Sequence, residues 1–346
     1  MPAEWEPHAA TWLAWPHNRN DWPGKFDPIP WVYAEIIRYL ARGERVELIV
    51  NDAAGEKIAR KVLQKTNALT ANVRFHRWPS DRVWTRDSGC TFVVPTDQSA
   101  GRSPAAIQWR FNAWAKYSNW QRDARIGGLM AKAAGAEQFH PTFGKQRVIL
   151  EGGSIDVNGS GTLLTTEECL LSKVQERNPG RKRADYEAVF AEYLGVNHVI
   201  WLGAGIAGDD THGHVDDLTR FVAPDTVVTV VESDPKDANY APLRENIQRL
   251  RAACDQNGKS LAIVELPMPS TVFFAGRRLP ASYANFYIAN QRVLVPVFND
   301  PNDRIALDTL ADLFPEREIV GIYCSDLVWG FGTIHCMTQQ QPQYIP

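Results

Sequence analysis

One order of elements recurs along the chain: two extended segments joined by a polar turn, then a helix-like stretch, then another β-branched segment. The extended pairs fall at Trp84–Pro95, Val148–Thr166, His214–Val231 and Ala284–Phe298, and a last run covers Val320–Thr338. Asn158-Gly159, Pro224-Asp225 and Ala289-Asn290-Gln291 supply hairpin connections. Helix-patterned stretches lie between them at Trp31–Arg42, Glu56–Lys65, Arg122–Ala136, Arg183–Leu194, Ala241–Gln256 and Ile305–Leu313. The period is roughly 50–70 residues, and repetition at that length marks a repeat architecture rather than unrelated domains. The 346 residues divide into five units of about 69 residues each. No Ser/Gly linker or charge block splits the chain, so a single α/β domain over 1–346, five units closed around an axis, is expected.

Charge and cysteine usage remove several function classes. Lys plus Arg is 37 against 40 for Asp plus Glu, a net charge of −3, which argues against a nucleic-acid binder working through a strongly basic face. No apolar run approaches a membrane span. The opening Met1-Pro2-Ala3-Glu4-Trp5-Glu6-Pro7 has neither the basic nor the apolar region of a secretory signal, which predicts a cytoplasmic protein. The five cysteines, Cys90, Cys169, Cys254, Cys324 and Cys336, are scattered with no CxxC pair, as suits a reducing compartment.

Four segments place polar residues within strand-like or glycine-rich surroundings. They are Trp84–Gly89 (WTRDSG), Leu150–Gly153 (LEGG), Asp209–Asp216 (DDTHGHVD) and Gly330–Cys336 (GFGTIHC). Asp87, Glu151 and His214 follow one another at nearly one repeat each, so each unit would present its group at the same end. Taken singly the segments are unremarkable: Cys336 reads as buried packing, Arg86-Asp87 as an ion pair, and Glu151-Gly152-Gly153 as a turn. His214 and Asp216, two apart on a strand, would share a face. Together they supply a thiol, an imidazole and three carboxylates, which covers a nucleophile, a proton shuttle and a clamp for a cation. The rival from another class is a metal-dependent hydrolase, since His212, His214 and Asp216 form an HxHxD cluster with credible zinc-ligand spacing. Against it, Asp217 stands where that pattern continues with another histidine. The same residues would also suit a non-catalytic amine binder, or an amidinotransferase that passes the amidine to an amine instead of water.

The runs WTRDSG, LEGGSIDVNGSGTLLTTEECLL, THGHVDDLTRF and GTIHCMTQQQP, with the opening MPAEWEPHAATWLAWPHNRNDW, resemble the agmatine deiminase and bacterial-type peptidylarginine deiminase family over nearly the whole chain. The resemblance implies a five-bladed α/β propeller (pentein) of ββαβ repeats with pseudo-fivefold symmetry. It implies Cys336 as nucleophile, His214 as general acid and base, Glu151 as the partner orienting that histidine, and Asp87 and Asp216 as the carboxylates holding a guanidinium. The implied reaction turns agmatine and water into N-carbamoylputrescine and ammonia through a covalent thiouronium on the cysteine, with no cofactor and no metal. Peptidylarginine or free arginine could take agmatine's place as substrate. The family's Gly-Gly-Gly-Asn reads here Gly330-Phe331-Gly332-Thr333, and its FNAWGGK reads FNAWAK over Phe111–Lys116; both departures bear on the substrate.

Two further residues are candidates for the substrate's tail. Trp84 lies three residues before Asp87, so on a regular strand it would take the opposite face; a bend at Thr85-Arg86, implied by the resemblance, would let it cover the aliphatic chain. Asp210, four residues before His214, is the candidate for a distal ammonium, or equally a solvated loop residue. The expected partner is thus a small cationic guanidine, with no nucleic acid and no membrane; a homodimer is left open.

Overall fold

The computed structural model describes residues 1–95 and 104–344. Among them are five mixed sheets, each with an antiparallel pair and a parallel pair. The first sheet runs in the order Gln339–Pro342, His8–Ala14, Arg45–Val50, Val73–Arg77, so the two ends of the chain share it. The second holds Thr91–Val93, Ala105–Ile107 and Glu137–Phe139. The third holds Asp156–Val157, Thr162–Thr166 and His198–Leu202, and the fourth Thr219–Ala223, Thr226–Val231 and Ala262–Pro267. The fifth holds Tyr287–Ile288, Arg292–Val297 and Glu318–Tyr323. None of these sheets closes on itself among the described residues.

Parallel neighbours cannot be joined by a tight turn, and each parallel pair here is bridged by a helix. The bridges are Ile29–Leu40 and Ala53–Lys65 in the first sheet, then Ile126–Ala133, Arg183–Leu194, Tyr240–Ala252 and Asn302–Leu313. Ile29–Leu40 starts with Pro30 in its first turn and buries Ile29, Tyr33, Ile36, Ile37 and Leu40, one stripe at helical spacing. Ala53–Lys65 is capped by Asp52, whose carboxylate accepts from Gly55 N at 2.8 Å. Middle strands such as Thr226–Val231 (TVVTVV) and Arg292–Val297 (RVLVPV) are buried over four consecutive residues, the continuous apolar run of a strand covered on both faces.

The expected hairpins at Asn158-Gly159, Pro224-Asp225 and Ala289–Gln291 are present. Four segments expected to be extended are instead interrupted by turns, Val148–Thr166 among them at Gly152–Ser154. Thr85–Ser88 is one turn of helix, and Val215–Asp217 is a 3-10 turn, so His214 and Asp216 do not lie on a strand. The chain cannot run straight into that second turn: His212 and Gly213 both take positive φ, and Asp209 Oδ2 accepts from the Gly213 and His214 amides. Of Val320–Thr338 only the first residues are strand; a 3-10 turn over Leu327–Gly330 and a loop then lead to Cys336.

Candidate active site

Each of the five sheets opens with a short antiparallel strand, and the residues just before that strand turn inward. Asp87 comes from the turn before Thr91–Val93, and Glu151 from the turn before Asp156–Val157. His214 and Asp216 precede Thr219–Ala223, Asn285 precedes Tyr287–Ile288, and Cys336 precedes Gln339–Pro342. Interrupting each chain with a turn rather than continuing the strand is what lets these side chains face one another.

His214 lies at the centre, fully buried. Its Nε2 is 3.6 Å from Glu151 Oε2, and its Nδ1 is 3.9 Å from both Asp87 Oδ1 and Asp216 Oδ1. Neither ring nitrogen has a hydrogen-bond partner within the protein, and neither has Asp216 Oδ1. Cys336 Sγ is 3.7 Å from Asp216 Oδ2 and accepts a hydrogen bond from Asn285 Nδ2 at 3.1 Å. Two glycines leave room for this convergence. A Cβ on Gly153 would stand 2.5 Å from His214 Nδ1, and one on Gly332 would stand 2.9 Å from the Trp84 ring and 3.0 Å from Cys336 Cβ.

Surrounding residues fix the carboxylates. Asp87 accepts from Trp114 Nε1 at 2.9 Å and from Gly153 N at 3.1 Å. Arg177 Nε lies 3.3 Å from both Glu151 oxygens. His335 bridges Asp216 Oδ2 at 2.7 Å and Glu4 Oε2 at 2.8 Å, while Glu4 also accepts from Arg86 and Arg220. Arg86 therefore pairs with Glu4 and not with its neighbour Asp87.

These contacts set the charges. Burial raises Asp87, with Asp216 and Glu151 adding to it, and despite the opposing His214 charge and Trp114 N–H its pKa is pushed up to about 6. Burial also opposes ionisation of Glu151 and Asp216. It is outweighed by Arg177 and His214 at Glu151, and by His335, His214 and Arg220 at Asp216, so both lie below the usual carboxylate range. Burial disfavours charge on His214, yet Asp87, Cys169 and Glu151 hold the imidazole well above its usual value. Burial, reinforced by Asp216, Asp217 and Asp87, pushes the Cys336 thiol well up.

Cys336 and Asp87 line one cavity of about 330 Å³ together with Trp84, Trp114, Asp21 and Asp210. Trp84 caps the Thr85–Ser88 turn, and the helical bend puts it on the same cavity as Asp87. Asp210 is on the cavity wall as well, but its oxygens are engaged by Lys116 Nζ and by Tyr117 OH at 2.6 Å.

The HxHxD ligand set does not assemble. His212 turns away, its Nε2 3.1 Å from Ser172 Oγ and its Nδ1 3.6 Å from Glu168, because its positive φ reverses the chain before His214. The groups of three possible ligand atoms found among the described residues are Glu151, Cys169 and His214, and Asp216, Asp217 and Cys336; His212 belongs to neither.

Glu4, Arg177, Arg220, Asn285 and His335 do not stand out in the sequence as site residues. Asn285 has a signal: it lies about one repeat beyond Asp216, where the next unit should contribute a group. His335 adjoins Cys336 and Glu4 sits in the opening run, but nothing in their local pattern pairs residues so far apart in the chain.

The model of the Porphyromonas-type peptidyl-arginine deiminase family matches residues 1–342. An agmatine deiminase of Pseudomonas fluorescens is 36% identical over 365 aligned residues, covering 99% of this chain and 95% of that protein. The solved agmatine deiminase of Enterococcus faecalis is 29% identical with a TM-score of 0.89, covering 100% of this chain and 96% of that one. That of C. jejuni is 28% identical with a TM-score of 0.85, covering 100% and 96%.

Proposed function

The chain belongs to the Porphyromonas-type peptidyl-arginine deiminase family, and from that premise we propose that it hydrolyses the guanidinium of agmatine to N-carbamoylputrescine and ammonia, a step toward putrescine, in the cytoplasm. One observation carries the reading: a thiol, an imidazole and three carboxylates meet in one buried cluster that reaches the cavity through Cys336 and Asp87, and the His214 nitrogens and Asp216 Oδ1 in it are without partners. Those are the groups a planar cation and its leaving nitrogen would engage. The five like sheets, each delivering residues to this one cluster, support a single domain built as a five-bladed α/β propeller.

Asp87 and Asp216 bind the N–H edges of the guanidinium with charge-assisted hydrogen bonds and hold its plane for attack. Burial, with Asp216, Asp217 and Asp87 adding to it, keeps Cys336 protonated in the free protein; the arriving cation offsets the carboxylate charge, and the thiol proton is lost to solvent. The thiolate then adds to the guanidinium carbon, giving a neutral tetrahedral adduct. His214 enters as the imidazolium that its carboxylate neighbours favour. It donates its proton to one adduct nitrogen, the C–N bond breaks, ammonia leaves, and a cationic thiouronium remains on Cys336. Neutral His214 takes a proton from water as the oxygen adds to the same carbon, giving a neutral adduct. The C–S bond then breaks with its electron pair on sulfur, the hydroxyl proton passes to the sulfur to restore the thiol, and the neutral ureido group departs. Glu151, anchored by Arg177, positions His214 through both steps.

The test is a coupled ammonia assay over agmatine, free arginine and arginine-containing peptides, paired with rapid-quench mass spectrometry. Agmatine is expected to have the highest kcat/KM, with an adduct on the peptide holding Cys336. Faster turnover of peptidyl-arginine rejects the substrate, and near-normal turnover by Cys336→Ala rejects the mechanism.

A further inference from the structure

The cavity that ends at Cys336 and Asp87 opens beside Asn20 and Asn119, which are exposed. Four charged side chains gather toward this mouth, and three have strong polar partners of their own. Arg82 donates from both terminal nitrogens to Asn119, at 2.7 and 2.9 Å, and lies 4.3 Å over the Tyr117 ring. Lys116 and Tyr117 occupy the two oxygens of Asp210. Asp21 is the fourth. Its Oδ1 accepts from Asn18 Nδ2 at 3.1 Å, with Arg82 Nε at 3.8 Å, but its Oδ2 is buried on a side chain only 10% exposed and has no hydrogen-bond partner. A desolvated carboxylate oxygen left open is costly unless something completes it.

We propose that Asp21, rather than Asp210, receives the distal ammonium of the substrate and so selects guanidinoalkylamines. This rests on the hydrolysis proposed above. A substrate reaching from Cys336 along the Trp84 ring needs a cation acceptor at its other end, and the Asp210 charge is already met by Lys116. Free arginine would bring its α-carboxylate beside Asp21, where like charges repel. Peptidyl-arginine would bring uncharged amides, which leave Oδ2 without a cation. An amine with no neighbouring carboxylate satisfies the site.

Asp21→Asn keeps the shape and the Asn18 contact while removing the charge. With agmatine its kcat/KM should fall about 10-fold or more, the usual effect of losing a charge-assisted hydrogen bond. With pentylguanidine, which has a methyl where agmatine has the ammonium, it should stay within about twofold. Asp210→Asn should leave the agmatine-to-pentylguanidine ratio within about twofold of wild type. Calorimetry in a Cys336→Ala background reads the same preference as an affinity ratio without turnover, and Asp21→Ser provides a second variant if Asp21→Asn melts early. Equal losses on both guanidines, or a ratio moved by Asp210→Asn alone, overturns the assignment. Wild type that binds agmatine selectively through Asp21 but releases no ammonia overturns the hydrolase reading and leaves the Asp21 assignment standing.

Discussion

Asn285 Nδ2 lies 3.1 Å from Cys336 Sγ, and the amide is held in that orientation from behind. Its Oδ1 accepts from Thr333 Oγ1 at 2.7 Å and from His335 N at 3.0 Å, so the oxygen end must face the loop and the NH₂ end the thiol. The same nitrogen reaches Asp217 Oδ1 at 3.0 Å. In a pocket where Asp216, Asp217 and Asp87 all oppose a thiolate, Asn285 is the side chain that favours it. Asn285→Ala should lower kcat/KM by about 10- to 100-fold and move the pH of half-maximal iodoacetamide labelling of Cys336 upward. Asn285→Asp, which places a further carboxylate against the sulfur, should cost more. A variant slower in turnover with an unshifted labelling profile would make Asn285 a scaffold residue only.

Asp87 supplies an acid limb to the rate profile. Its pKa is raised to about 6, chiefly by burial, and the form that binds a guanidinium is the carboxylate. That form is lost as pH falls through about 6, and burial raises the Asp21 carboxyl to about 7. The kcat/KM for agmatine should therefore begin to decline below about pH 7 and fall more steeply below about 6, while pentylguanidine should show the lower limb alone. Labelling of free Cys336 should follow a different course and keep rising above pH 9, because its thiol is raised and no substrate cation offsets the carboxylates. Complete labelling at pH 7 would show that the protein ionises the thiol unaided.

Gly153 sits where three reacting groups come closest. A methyl there would be 2.5 Å from His214 Nδ1 and 3.0 Å from both Asp216 Oδ2 and Asp87 Oδ1, and none of these is the loose end of a long side chain. Gly153→Ala should therefore displace His214 and reduce kcat by roughly 100-fold, the scale of a misplacement of about 1 Å. Gly55, in the helix Ala53–Lys65, would bring an added methyl into ordinary contacts only and serves as the control; Gly55→Ala should leave kcat within about twofold.

The repeat is legible because turn chemistry and helical spacing are local. Asn158-Gly159 and the Ile29–Leu40 stripe can be read within a dozen residues, and the hairpins and helices lie where those signals place them. The segments that carry the site read as strands but are not, since WTRDSG and THGHVDD have the β-branched and polar mixture of an edge strand. What bends them is tertiary: Cys336 O accepts from Arg86 N, and Asp209 holds the amides ahead of Val215. The residues on which the resemblance places the chemistry lie close to one another in one buried cluster, while the ring of partners behind them has no local signature. Glu4 and His335 are 331 positions apart and meet only because the first and last strands pair. Cys169, one of the scattered cysteines, likewise comes within 4.8 Å of both Glu151 and His214 without any local signature.

Glu4 is where those non-local contacts concentrate, and it yields a stability prediction. Its carboxylate accepts from Arg220 at 2.9 Å, Arg86 at 3.1 Å and the Ile288 amide at 2.9 Å, and it lies 2.8 Å from His335 Nε2. Burial pushes its pKa up, but Arg220, His335 and Arg86 together hold it well below the usual range. Because the folded-state value is depressed, this stabilisation is present at neutral pH and is lost as pH falls through the unfolded value toward the folded one. Glu4→Gln keeps the shape but leaves two buried guanidinium groups short of a counter-charge, apart from the Arg220–Asp156 pair. The expected cost is about 3–5 kcal/mol, the range for removing one partner of a buried ion pair. Urea denaturation at pH 7 should show that loss, and the gap between variant and wild type should narrow as the pH is lowered below about 4, where Glu4 of the unfolded chain takes up a proton that the folded protein still excludes. A Glu4→Gln protein as stable as wild type at pH 7 would mean that Arg86 and Arg220 find other partners, and that the pairing of the first and last strands holds the chain ends without Glu4.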